Sequence, residues 1–363
     1  MKKKVMGFAF IAALVTVTFY ACSKNSSDGS PEPAGPATDT FKTALLTNYA
    51  NNLIIPAYSS FQQQLIALES SANAFLAAPT TITQQSLKIS FRDSYLGYQK
   101  VSLLFFGPAG VTQFNNSINS FPCTVAKIES GITTGVYNLA AANVSDSIQG
   151  FPALDYLFFS TNAVQNFAGA NAANRKKYVQ DVISRMKSLT DNVLTQWKTT
   201  YSAPFIANTK LDVGSSMGYL VNQFAYEMDQ LKGPRIGWPF GKQSDGIVFA
   251  DKCEGFYGDF SAALAIANLT SVKNYYTGGN DRGIDDYLVL LQKSALNISV
   301  IGQFDVTLTA LKAIPEPMSA SFSTNKPLIE NAYKQVQRLL TLIKTDVASA
   351  TSIRITYQDT DGD

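Results

Sequence analysis

The sequence predicts an all-α protein made of two antiparallel helical-bundle halves related by a pseudo-repeat, with little or no sheet. Three observations carry this. Apolar residues recur at spacings of three and four over long stretches, Pro and Gly-Pro breaks interrupt those stretches at helix-sized intervals, and strand-like segments are too few to pair. The chain has 363 residues, 46% hydrophobic and 15% charged, enough for one large or two ordinary domains with a sizeable core.

The first element is an address. Lys2, Lys3 and Lys4 precede the apolar run "VMGFAFIAALVTVTF", and "YACSKNSSDGS" follows, the basic, apolar and small-residue layout of a secretory signal over residues 1–21. The apolar run is about 15 residues long, short of the roughly 20 that a spanning helix needs. "FYAC" resembles a bacterial lipoprotein cleavage box, with Ala21 in keeping and Phe19 where leucine is usual. Cys22 would then be the lipidated first residue, and several acyl chains would anchor the protein firmly. Ser23 and Lys24, with no Asp after the cysteine, favour the outer membrane. Residues 22–38, rich in Ser, Pro and Gly, read as a flexible tether.

Helices follow. In the N-terminal half, 39–165, residues 40–77, 83–106, 136–148 and 152–161 read as helical, with breaks at Pro79, "FFGPAG" 105–110, "SFPCT" 120–124 and "QGFP" 149–152. In the C-terminal half, 166–356, Tyr178, Val182, Met186, Leu189, Val193 and Trp197 mark an amphipathic helix over 173–198. Leu328, Ala332, Val336, Leu339, Leu340, Ile343 and Val347 mark another over 326–348, with Pro327 at its start. "YLGYQKVSLLFFGP" 95–108 and "YLVNQFAYEMDQLKGP" 219–234 echo one another, which is the internal sign of duplication. "GIVFAD" 246–251 and "IRITYQD" 353–359 extend locally without partners for a sheet, and residues 357–363 form an acidic tail.

The composition excludes a great deal. There is no histidine, so Ser/His/Asp and Cys/His catalysis, HExxH zinc helices and His-ligated metals are all ruled out. Carboxylate, tyrosine, lysine and hydroxyl chemistry remains, including hard-metal binding through oxygen. With 29 basic and 27 acidic residues the net charge is +2, which offers no footprint for nucleic acid. Beyond Cys22 the cysteines are Cys123 and Cys253; a disulfide between them and two separate buried thiols are both compatible with the sequence.

The candidate site begins at "QGFPALDYLFF" 149–159. Proline suits a first helical position, so Pro152 would open the helix and leave Asp155 at the end of the first turn. An acid there gains from the helix dipole, yet Phe151 and Phe158 lie on its own face, and a carboxylate among aromatics needs a partner. Asp155 is thus either structural or a deliberately buried functional acid. In "GPRIGWPFGK" 233–242, Arg235 is available to pair a carboxylate such as Asp155 or a ligand anion, or else sits in an inter-bundle connection. Glu129, Glu227 and Tyr98 are the other residues expected to converge on Asp155.

The order of these segments resembles the imelysin-like bacterial envelope proteins, whose hallmark is Gly-x-His-x-x-Glu followed by apolar residues. Here the motif reads Gly150, Phe151, Pro152, Ala153, Leu154, Asp155: glycine kept, histidine replaced by proline, glutamate shortened to aspartate. "FRDSYLGYQKVSLLFFGP" 91–108, "INSFPCTVAKIES" 118–130, "YEMDQLKGPRIGWPFG" 226–241 and "CEGFYGDFSAALAIANLTSVKNYYTGG" 253–279 extend the resemblance along the mature chain. It implies two helical halves and either insulin-cleaving peptidase activity or a role in iron uptake, with the motif's His and Glu as metal ligands or functional centre. Only Asp155, and Gly150 as the turn that positions it, carry over. The resulting expectation is a non-catalytic lipoprotein binding iron, an iron complex or a partner between the halves; the competing readings are a peptidase and an interaction protein with a vestigial site.

Overall fold

A computed structural model describes residues 36–140 and 147–357, which belong to one compact unit. The secretory signal, Cys22, most of the tether and the acidic tail beyond residue 357 lie outside the described residues. The chain runs through α1 (Pro36–Asn48), α2 (Ile55–Ala77), α3 (Thr81–Tyr98), α4 (Gly107–Val111), α5 (Phe114–Asn119), α6 (Val125–Thr134) and α7 (Gly150–Phe159). It continues through α8 (Ala163–Asn166), α9 (Ala172–Gln196), α10 (Ser202–Ala207), α11 (Ser216–Gln230), α12 (Trp238–Phe240) and α13 (Ser261–Tyr276). The last helices are α14 (Ile284–Leu290), α15 (Ser294–Lys312), α16 (Met318–Thr324), α17 (Lys326–Thr341) and α18 (Ala348–Ala350). No strand occurs among the described residues, so "GIVFAD" and residues 353–357 of "IRITYQD" contribute only turns, one 3₁₀ turn (Ala250–Lys252) and irregular chain.

The long helices follow from their patterning. On α2, Tyr58, Phe61, Leu65, Leu68, Ala72 and Phe75 alternate spacings of three and four and are all buried. The stripes expected on α9 and α17 are buried too, apart from the half-buried Leu189 and Leu328. Helix starts are written locally: Thr80 and Thr83 form a reciprocal capping box on α3, and the Ser215 hydroxyl accepts from the Gly218 N–H to open α11.

Four π-helical stretches interrupt this order: Tyr49–Ile54, Trp197–Tyr201, Leu231–Gly237 and Leu342–Val347. Three of them have a common cause. Proline cannot donate to the carbonyl four residues back and its ring presses on that carbonyl. Pro56, Pro204 and Pro239 lie four residues beyond Asn52, Thr200 and Arg235, each within a π stretch whose wider turn accommodates the clash.

Two groups of helices emerge. In the first, α2 packs against α3 and α9, with α7 against α3 and α9; in the second, α15 packs against α13 and α17, and α11 against α17. Contacts of α13 with α3 and of α1 with α10, α11 and α14 join them. Because α9 packs into the first group, the boundary expected at 165/166 falls one helix too early.

Other expectations are also corrected. The helix expected over 83–106 ends at Tyr98, where Gln99 and Ser102 turn inward to meet buried acids. The helix expected over 136–148 is absent from 136–140 and 147–148. There Gly135 closes α6 in the left-handed region (φ 71), and the Asn138 side chain accepts the Ala140 N–H in a local turn. The tether is shorter than residues 22–38, since α1 opens at Pro36, a residue preorganised for a helix start.

Candidate ligand-binding site

The site is assembled around α7, which opens two residues earlier than Pro152 suggested. Gly150 is its first residue, and proline is tolerated at the third position because amides of the first turn lack intrahelical acceptors. Asp155 therefore sits in the second turn, beyond the strongest part of the dipole. Gly150 adopts φ 70, and a Cβ there would collide with the main-chain carbonyls of Ser117 and Ile118 on α5. Backbone cannot yield as a side chain can. Gly150→Ala is accordingly expected to destabilise the protein by about 2–4 kcal/mol, from left-handed strain plus overpacking; urea denaturation checks it.

Asp155 is 2% exposed. Its Oδ2 accepts the Tyr257 N–H at 2.9 Å, whereas Oδ1 has no hydrogen-bond partner. Burial pushes its pKa up, with Asp259 and Glu254 adding to the rise and the Tyr257 and Gly258 amides opposing it, to about 7. Gly258 is needed for this close approach, because a Cβ there would lie 2.9 Å from Oδ1. Around the carboxyl, α7 packs by aromatic contact: Phe151 stacks on Tyr95 at 4.3 Å between centroids.

Asp155 lines a cavity of about 600 Å³ whose walls include Phe121, Cys123, Cys253, Phe256 and Tyr257. Both cysteines are free thiols, and burial pushes each up to about 12. A smaller cavity of about 230 Å³ is lined by Tyr98, Asn119, Glu227 and Arg235, and Phe121 lines both. A third, of about 700 Å³, is walled by Phe105, Phe106, Tyr201, Tyr219 and Tyr357, with no carboxylate or cation among the described residues that line it.

Behind the smaller cavity is a buried charge cluster. Arg235 donates through Nε to Glu254 Oε2 at 2.8 Å and through Nη1 to Glu227 Oε1 at 2.9 Å. Gln99 and Asn119 donate to the Glu254 carboxylate at 2.8 and 2.6 Å, and Ser102 and Asn268 to that of Glu227 at 2.9 and 2.5 Å. Burial alone would lower the Arg235 pKa, but Glu254 and Glu227 outweigh it and raise it.

Of the residues expected to converge, the structure brings Glu227, Arg235 and Tyr98 together at the smaller cavity. Arg235 does not pair with Asp155, because Glu227 and Glu254 take its donors. Glu129 is engaged elsewhere, accepting from both Arg175 terminal nitrogens (2.9 and 2.5 Å) and from the Tyr156 hydroxyl (2.7 Å). Burial raises its pKa, but these hydrogen bonds outweigh that and hold it below the usual value. Tyr98 is buried, its phenol pushed up by burial and then by Glu227. Sequence reasoning missed Glu254, an acid beside aromatic residues in "CEGFYGDF", together with Gln99, Asn119 and Asn268.

The imelysin family model matches residues 54–345, most of the chain and both helical groups. The chain belongs to the imelysin family. A relative from Synechococcus elongatus named iron-regulated protein A is 20% identical over 303 residues, covering 77% of this chain and 80% of its own. Among solved structures, one from Parabacteroides distasonis described as an iron-regulated protein A precursor has a TM-score of 0.74 at 19% identity, covering 89% of this chain and 97% of its own. An imelysin-like protein from Psychrobacter arcticum has a TM-score of 0.72 at 19% identity, covering 88% of this chain and 98% of its own. The structural likeness bears on the fold alone.

A directly ligated iron ion does not fit this imelysin's site. Among the described residues no three His, Cys, Asp or Glu side chains are grouped to hold a metal. Pro152 occupies the motif's histidine position, so no imidazole joins the Asp155 carboxyl and the two thiols of this cavity.

Proposed function

We propose that this imelysin is an exported, non-catalytic binding protein of the cell envelope. In this reading it is anchored by lipid on Cys22 at the outer membrane and serves iron acquisition, with its ligand site in the Asp155 cavity. The observation that carries the reading is a buried carboxyl with an unpartnered oxygen, lining a cavity of ligand size at the position of the family motif. The iron connection rests on the iron-regulated names of the relatives. Because the donor set suits no bare ion, iron would arrive already chelated and be held through its chelator. A peptidase is disfavoured by the missing histidine and by Pro152.

Two measurements test this. Thermal melting of the purified full chain with a panel of ferric chelates is expected to show a rise with at least one of them, lost in Asp155→Asn; no rise with any chelate overturns the iron role. Cleavage of insulin B chain by the wild type, abolished in Asp155→Asn, would establish the peptidase instead. Cys22→Ser is expected to move the protein from the membrane fraction to the soluble fraction of the envelope, as read by fractionation and immunoblotting.

A further inference from the structure

We propose that the Asp155 cavity recognises an organic cation, a ligand whose primary ammonium or guanidinium group docks on Asp155 while its hydrocarbon part lies among Phe121, Phe256 and Tyr257. This rests on the reading of that cavity as the binding site and adds the class of ligand.

An ionised carboxylate is an acceptor only, and a buried oxygen without a donor is costly. Among the described residues no cationic side chain bonds to Asp155. Arg235 is held by Glu227 and Glu254, and Lys252, although part of the cavity wall, places its Nζ 5.6 Å from the centre of the Phe249 ring. The other charges facing Asp155 from the 251–259 segment are Asp251, which also lines the cavity, Glu254 and Asp259. The remaining titratable neighbours, the Cys123 and Cys253 thiols and the Tyr95 and Tyr257 phenols, are neutral near pH 7.

The cavity thus holds a surplus of acid beside aromatic walls. An ammonium or guanidinium would donate to Oδ1, relieve the repulsion from Asp259 and Glu254, and gain from the ring faces. An anion would meet Asp155 and Asp251, and beside Asp155 it would be accepted only when that carboxyl is protonated; Lys252 is the one cation among the described residues of the wall. The two ligand classes therefore respond oppositely to pH.

The test is calorimetric titration of the purified full chain with butylamine, phenethylamine and agmatine, with butanol and succinate as neutral and anionic controls, at pH 6, 7 and 8. A cation binds the ionised carboxylate, so affinity is expected to fall about tenfold from pH 8 to pH 6, with proton release on binding at pH 7. Binding is expected to be lost in Asp155→Asn, whose folding is verified by circular dichroism. The proposal is overturned if no amine binds at pH 8, if Asp155→Asn binds amines as well as the wild type, or if succinate binds and tightens as pH falls. Asp155-dependent binding of ferric citrate, a chelate without an amine, in the absence of amine binding overturns the ligand class and leaves the iron reading standing. Amine binding together with failure of every ferric chelate upholds the ligand class and removes the iron role.

Discussion

Asp155→Asn is expected to stabilise the protein at pH 8 by about 4 kcal/mol, the cost of keeping a buried carboxyl ionised when its pKa has moved from about 3.9 to about 7. The sign follows from proton binding. Between these two values the folded state binds more protons than the unfolded chain, so wild-type stability falls as pH rises. The favourable contribution is fully present below about pH 4 and is lost as the pH rises through about 7. Asparagine keeps an acceptor for the Tyr257 N–H and carries no charge to bury. Urea denaturation of wild type and variant at pH 4 and pH 8 should show near-equal stability at the first and a clear advantage for the variant at the second. Equal stability at both would mean that the carboxyl is not held in a desolvated setting. A substitution that strengthens the fold while removing binding is the pattern of a group retained for function at the expense of stability.

Arg235→Leu is expected to cost about 3–5 kcal/mol, the usual effect of removing one partner from a buried ion pair. Glu227 and Glu254 are each 2% exposed or less and would be left with neutral donors only, Ser102 and Asn268 for one, Gln99 and Asn119 for the other. The penalty belongs to the stranded acids more than to the missing guanidinium. Combining Arg235→Leu with Glu227→Gln and Glu254→Gln should therefore recover much of the loss, and a set of denaturation curves over the single and combined variants measures the coupling. If the triple variant is no better than Arg235→Leu, lost packing rather than uncompensated charge explains the effect.

How much of this was legible in the sequence depended on where each residue's partners lie. The α9 and α17 helices were readable because their apolar stripes are continuous and their partners are simply other stripes. Asp155 was readable because it is the one charge in an aromatic run. Glu254 also lies beside aromatic residues but shares its run with Asp259, and its meaning comes from Gln99, Asn119 and Arg235, which only the packing of distant segments assembles. Residues 136–140 read as helix by their apolar content, whereas the left-handed Gly135 and the Asn138 turn decide against it at the scale of single hydrogen bonds.

The π stretch Leu231–Gly237 begins after Glu227 and contains Arg235, so the facing of those two side chains depends on how many residues of the stretch precede Arg235. In an α-helix each residue advances the facing by about 100°. Removing Leu231, Gly233 or Pro234 would rotate Arg235 relative to Glu227 while leaving the charge of the region unchanged. The charge cluster is thus guarded by segment length as well as by chemistry, and through descent it would survive many replacements in this loop-like turn but few insertions or deletions.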